Sequence, residues 1–269
     1  MEIVAAGKTD VGLVRKQNED DFYIDESLGL LVVADGMGGH AAGSVASKMA
    51  TDFIKRYYKK EEGEYSTQNS TSWGEYSETT DNLVAAIRTA NAAIYEEAQR
   101  MPDLKGMGTT VAAAQVNGSR LSIAHIGDSR VYLVRAGSIE QLTDDHSVVY
   151  EQVKRSLITK EEAKKSEIKN ILTRALGISA DAEIDLAEMN LAANDILLLC
   201  SDGLSNMIDD ETMLAVVTAT REPALACEQL VGMANANGGK DNITVVVAYI
   251  IARNWLSLFI SKCLQLFRR

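Results

Sequence analysis

The sequence predicts an α+β fold of antiparallel strands, and three observations predict it. Short apolar runs rich in β-branched residues recur along the chain. Several neighbouring runs are separated by turns too short for a crossover, which requires antiparallel pairing. Helical periodicities fall between groups of runs and do not alternate with single ones, so a parallel βαβ sheet is disfavoured.

The elements follow in order. Residues 28–34 form the first apolar run. Residues 42–58 carry Val45, Met49, Phe53 and Ile54 at helical spacing. Residues 61–80 are rich in Ser, Thr, Glu and Gly and read as an exposed loop. A second helix over 82–98 follows from Leu83, Ile87, Ala90 and Ile94. Runs at 109–116 and 121–126 are split by Asn117-Gly118, a hairpin turn. The run 131–134 ends at another turn, Ala136-Gly137. The charged stretch 144–177 reads as a small helical subdomain. Strand 195–200, helices 209–218 and 223–236, and strand 243–251 complete the set, with Pro223 suited to a first helical turn.

Composition narrows the function. The chain has 269 residues, 46% hydrophobic and 24% charged, as in an ordinary globular protein. Its net charge of −11 argues against wholesale attraction to nucleic acid or an anionic membrane. Cys200, Cys227 and Cys263 are too few and too scattered for a disulfide framework or a thiolate zinc site. No signal peptide and no membrane span are read from the sequence, so a reducing cytoplasm is the expected location. The chain divides into a domain over 1–252 and a tail over 253–269. The tail crowds Trp255, Leu256, Leu258, Phe259, Ile260, Leu264, Leu266 and Phe267 before Arg268-Arg269. It reads as a terminal helix packed on the domain or on a partner, with a weak interfacial membrane anchor as the alternative.

Aspartates recur where runs end or begin: Asp35 after 30–34, Asp128 after 123–127, Asp202 after 196–201, and Asp241 before 243–247. Any one is a common turn former. Four brought together could not all stay ionised without cations. Oxygen ligands without His or Cys suit Mg²⁺ or Mn²⁺, and a pair of such ions can activate a shared water. Gly36, Gly38 and Gly39 allow backbone to approach an ion. Arg15, beside Glu19 and Asp20, offers a planar fork for phosphate oxygens, or a surface ion pair.

These residues fall in a recognisable order. The motifs are Arg15-x-x-Asn18-Glu19-Asp20, Val33-Ala34-Asp35-Gly36-Met37-Gly38-Gly39, Gly108-Thr109-Thr110 and Gly127-Asp128-Ser129-Arg130. Leu172-Thr173-Arg174-Ala175-Leu176-Gly177, Leu199-Cys200-Ser201-Asp202-Gly203-Leu204 and Asp241-Asn242-Ile243-Thr244 follow. Together they resemble the metal-dependent protein serine/threonine phosphatases, the PPM or protein phosphatase 2C family, in its bacterial branch.

The resemblance implies a four-layer αββα sandwich of two antiparallel sheets flanked by helices, with 144–177 as a helical flap. It implies two core Mn²⁺ or Mg²⁺ ions and a third, weaker one. Asp35 would bridge the core ions, the Gly36 carbonyl would join one, and Asp202 and Asp241 the other. Glu19 and Asp20 would hold metal-bound water, Asp128 with Asp202 the third ion, and Arg15 the substrate phosphate. The implied reaction is direct attack of a metal-bridging hydroxide on phosphoserine or phosphothreonine, with no phosphoenzyme. Implied partners are phosphorylated proteins, a bacterial Ser/Thr kinase and that kinase's substrates; a monomer is expected. A phosphoprotein-binding pseudophosphatase and an enzyme for a phosphorylated regulator are the competing readings.

Three histidines bear on the proton donor. His40 follows the glycines and could protonate the leaving oxygen, or be an exposed loop or helix-start residue. His125 reads as a packed core residue and His146 as a surface residue. Cys200 reads as a buried strand residue. Ser166-Glu167 stands where bacterial relatives often carry His-Pro, which separates this flap from theirs.

Overall fold

The computed structural model describes residues 1–38, 42–59 and 76–252. Strand pleating explains its architecture. In the run that becomes β3 (Leu30–Met37), Leu31 and Val33 face one way while Leu30, Val32 and Ala34 face the other, and all five are buried. A strand buried on both faces must lie in an inner layer, and its sequence is a continuous apolar run for that reason.

Two antiparallel sheets meet on this principle. The first has the order β1 (Glu2–Asp10), β11 (Ile243–Ile251), β10 (Ile196–Cys200), β7 (Arg130–Arg135), β8 (Ser138–Gln141). The second has the order β2 (Asp20–Asp25), β3, β5 (Val111–Asn117), β6 (Arg120–Ile126), β9 (Asp185–Asn190), with the short β4 (Gly108–Thr109) paired to β3. Leu31, Val33, Ala112 and Ile123 of one sheet pack with Val131, Leu197, Leu199 and Val246 of the other. On the outer face of the second sheet lie α1 (Ala42–Lys59) and α2 (Glu78–Arg100). On the outer face of the first lie α5 (Asp202–Ser205), α6 (Asp210–Ala219) and α7 (Pro223–Ala236). The four-layer α+β sandwich is the expected one.

Between β8 and β9 the segment 144–177 carries two short helices, α3 (Val148–Lys154) and α4 (Lys160–Lys165). Ser147 caps α3 and Thr159 closes a capping box on α4 with Glu162. The β7–β8 hairpin turns on Ala136 and Gly137, both with positive φ, as a two-residue hairpin turn requires.

Three expectations change. The strand read as ending at residue 34 continues through Asp35 to Met37, because Gly36 and Met37 pair with β4. Residues 78–80, read as loop, are the first turn of α2, where buried Thr80 bonds Ser122 and Glu188. Strands β1, β2, β8 and β9 escaped the apolar-run criterion. The rest of the 61–80 loop up to residue 75, and the tail from residue 253, lie outside the described residues. Among the described residues no helix is long and apolar enough to cross a membrane.

Truncating Leu31 removes a side chain wholly enclosed between the sheets. Leu31→Ala is expected to lower stability by about 2–5 kcal/mol in urea unfolding. A loss below about 1 kcal/mol would contradict a packed inter-sheet core.

Candidate active site

One end of the sandwich gathers the acidic residues. A cleft of about 530 Å³ is lined there by Glu19, Asp35, Asp128, Asp202 and Asp241, with Arg15, Lys16 and Asn170. Each arrives on a different element. Asp35 lies in β3 directly opposite Asp20 of β2. Asp128 sits in the turn between β6 and β7, Asp202 opens α5 after β10, and Asp241 precedes β11.

Asp35 is held by its backbone. Its N–H donates to Thr110 Oγ1 (2.9 Å), and its carbonyl accepts from Thr110 N (2.8 Å) and Thr109 Oγ1 (2.9 Å). Thr110 Oγ1 in turn bonds Ser129 Oγ at 2.7 Å. Asn242 accepts from Glu19 N–H (2.8 Å) and donates to the Val11 and Gln17 carbonyls (2.9 Å each). The loop carrying Arg15 is thereby tied to the strand that follows Asp241. A Cβ on Gly36 would stand 2.1 Å from the Gly43 carbonyl oxygen, so only glycine lets β3 pass α1 this closely.

The electrostatics are adverse. Burial and then neighbouring carboxylates push several groups upward, because ionising one charges the site of another. Asp20 is raised to about 7 by burial, against hydrogen bonds from Thr244 and Ser201 (2.7 Å each). Asp202 is raised to about 6, by burial and then Asp241, against Lys169, Arg130 and Arg15. Asp35 and Asp128 are raised well above the carboxylate range, burial first, then Asp20 for the former and Asp202 for the latter.

A divalent cation is the natural relief, and the donor set fits one. Every donor is a hard oxygen, as Mg²⁺ and Mn²⁺ prefer. Asp20 Oδ1 is buried and has no hydrogen-bond partner among the described residues. Among the described residues no three acidic, histidine or cysteine side chains yet converge on a single point. Asp241 shows one reason: its Oδ2 accepts from Arg15 Nη2 (2.8 Å) and its Oδ1 from Asn242 N–H (2.9 Å).

The cleft therefore brings together Arg15, Glu19, Asp35, Gly36, Asp128, Asp202 and Asp241; Asp20 does not line it but lies buried opposite Asp35. His40 lies outside the described residues. His125 is buried, as expected, and burial lowers its pKa to about 3, so the ring is neutral near pH 7. His146 is not on the surface: it is 1% exposed, with hydrogen bonds to Gly127 and Asp185. Cys200 is buried in β10 and pushed up to about 12, as an inert strand thiol would be. Lys16 and Asn170 also line the cleft, and Lys169 acts on Asp202, roles the motif reading left unassigned. The signal was available only as position: Lys16 follows Arg15, and Lys169-Asn170 precede a quoted motif.

Comparison with known proteins agrees with this arrangement. The family described as Protein phosphatase 2C matches residues 14–235. The serine/threonine phosphatase stp of Listeria welshimeri is 38% identical over 243 residues, covering 89% of this chain and 93% of that one. The crystal structure of the Mycobacterium tuberculosis serine/threonine phosphatase PstP/Ppp is similar with a TM-score of 0.83 and 39% identity, over 94% of this chain and 100% of that one. The PstP catalytic domain in complex with two manganese ions has a TM-score of 0.78 and 38% identity, over 93% and 99% of the respective chains.

The raised carboxylates set a pH dependence. Their folded pKa values exceed those of an unfolded chain, so their contribution to stability is complete below about pH 4. It is lost as the pH rises through about 6 for Asp202 and about 7 for Asp20. In EDTA the melting temperature is expected to fall between about pH 4 and 7, and excess manganese to reverse the fall. Asp35→Asn should raise the melting temperature in EDTA, by about 2–4 °C for each kcal/mol of repulsion removed. A lower melting temperature for that variant in EDTA would contradict the electrostatic reading.

Proposed function

Because this chain belongs to the protein phosphatase 2C family, and is a serine/threonine protein phosphatase and so a hydrolase, we propose that the cleft hydrolyses phosphoserine and phosphothreonine in one step, by direct attack of water. The observation that carries the reading is the meeting of five carboxylates and Arg15 in one cleft. Acidic side chains alone would repel a phosphate, so the site makes sense as a cation holder beside a guanidinium.

Manganese or magnesium would be held by Asp35, the Gly36 carbonyl, Asp202 and Asp241, with a third ion at Asp128 and Asp202; bound there, the ions would supply a water of lowered pKa and positive charge facing phosphorus. The PstP structure with two manganese ions supports that assignment by likeness. Glu19 and Asp20 would orient water by accepting its protons. Thr109 and Thr110 hold the Asp35 backbone, so the mount of this one carboxylate stays in place as charge develops.

Arg15 is the phosphate clamp in this scheme. Its guanidinium is half exposed, and one nitrogen is already aligned by Asp241. Among the described residues its other donors have no partner, so they can form a fork on two phosphate oxygens. A covalent phosphoenzyme through cysteine is disfavoured, since the Cys200 thiol is buried and pushed up to about 12. His125 and His146 do not line the cleft, which leaves His40 as the histidine candidate for protonating the leaving oxygen. The expected substrates are phosphorylated proteins, with a bacterial Ser/Thr kinase as the enzyme opposed. The tail over 253–269 would add a membrane or partner contact.

Purified protein with a phosphothreonine peptide tests the reading. Phosphate release is expected with manganese, none with EDTA, and none from Asp202→Asn. Arg15→Ala should reduce kcat/KM by about 10- to 100-fold, matching a lost charge-assisted hydrogen bond of roughly 1.5–3 kcal/mol. Unchanged release in either variant would remove that residue from the mechanism.

A further inference from the structure

We infer that His146 is a positioning residue of the cleft: it grips Gly127 by backbone and ring together, and so fixes where the neighbouring Asp128 points. The inference rests on Asp128 being a working residue of the proposed active site.

The geometry is a two-point clamp. His146 N–H donates to the Gly127 carbonyl at 2.7 Å. Gly127 N–H donates back to His146 Nδ1 at 3.1 Å. A backbone amide can only donate, so Nδ1 must carry the lone pair and the ring proton sits on Nε2. That proton meets Asp185 Oδ2 at 3.1 Å. The other Asp185 oxygen accepts from Arg174 Nη1 at 2.7 Å, and the His146 carbonyl accepts from Thr173 N–H at 2.8 Å. The start and the end of the 144–177 segment are thus pinned to one another, to β9 and to Gly127.

A turn next to a strand end needs such a device here. The charges of Asp202 and Asp145 act against that of Asp128, with Arg130 opposing them, so a carboxylate free to rotate would turn outward to water. Gly127 itself has φ +108°, and a Cβ there would come within 2.5 Å of Thr110, the residue that holds Asp35. The clamp, the turn and the Asp35 mount are therefore in direct contact. His146 is 1% exposed, and its backbone N–H, backbone carbonyl and both ring nitrogens all have partners. Burial of so many polar atoms is tolerable only because all are matched.

Two substitutions separate positioning from packing. In His146→Asn the amide oxygen falls near the Nδ1 position and still accepts from Gly127. In His146→Gln the amide group falls near the Nε2 position and does not. With manganese and a phosphothreonine peptide, His146→Gln and His146→Ala should lose about 10- to 100-fold in kcat/KM, as removal of an outer partner does. His146→Asn should recover most of that loss. A packing role gives the opposite order, because glutamine fills more of the space; glutamine equal to or better than asparagine overturns the inference. In an Asp128→Asn background, His146→Ala should cost nothing further, and an undiminished cost there overturns it as well. Amide hydrogen exchange at Gly127 gives a readout free of activity: faster in the Gln and Ala variants, near wild type in the Asn variant. Should the wild type release no phosphate, the functional reading fails, while the exchange order still judges the clamp. Should His146→Ala not fold, the Asn and Gln pair decides.

Discussion

Mutual repulsion among carboxylates, drawn together at one end of a sheet sandwich, is the constraint on which the rest depends. Asp20, Asp35, Asp128 and Asp202 lose hydration and face one another, so each resists ionising. A chain free to relax would turn these side chains to bulk water. This chain is not free to do so, because each carboxylate is mounted on backbone fixed by other means. The stability of the hydrophobic layers holds an arrangement that the site alone would disperse.

The mounts explain residues that carry no charge. Thr110 joins Asp35 to Ser129, and hence β3 to the turn before β7. Ser201 and Thr244 both donate to Asp20, joining β10 and β11 of one sheet to β2 of the other. Arg130 makes a two-pronged pair with Asp145 (2.8 and 2.7 Å), linking the Asp128 turn to the start of the 144–177 segment. Such motifs are short because each residue spans one gap between elements.

The legibility of the sequence follows from burial. The apolar runs that become β3, β5, β6, β7, β10 and β11 lie inside their sheets and are covered on both faces, so they read as unbroken hydrophobic stretches. The strands that escaped, β1, β2, β8 and β9, are the four sheet edges. Edge strands mix charge with apolar residues, as Asp20-Asp21-Phe22-Tyr23-Ile24-Asp25 does, and so blur the signal. The acidic residues of the cleft were legible as motifs, though not the extension of β3 through Asp35, which depends on pairing with the distant β4. His146 reads as a surface residue in the sequence because Asp144, Asp145 and Ser147 flank it, while its ring partners Gly127 and Asp185 come from other parts of the chain.

Calorimetric titration of manganese into EDTA-stripped protein near pH 6, in two buffers of different ionisation enthalpy, tests the central claim most directly. If the cluster is built to be neutralised by cations, at least two ions should bind per chain. Binding should release protons, because carboxylates raised to about 6 and about 7 are partly protonated there. Fewer than one ion per chain, or binding with no proton release, would contradict the account.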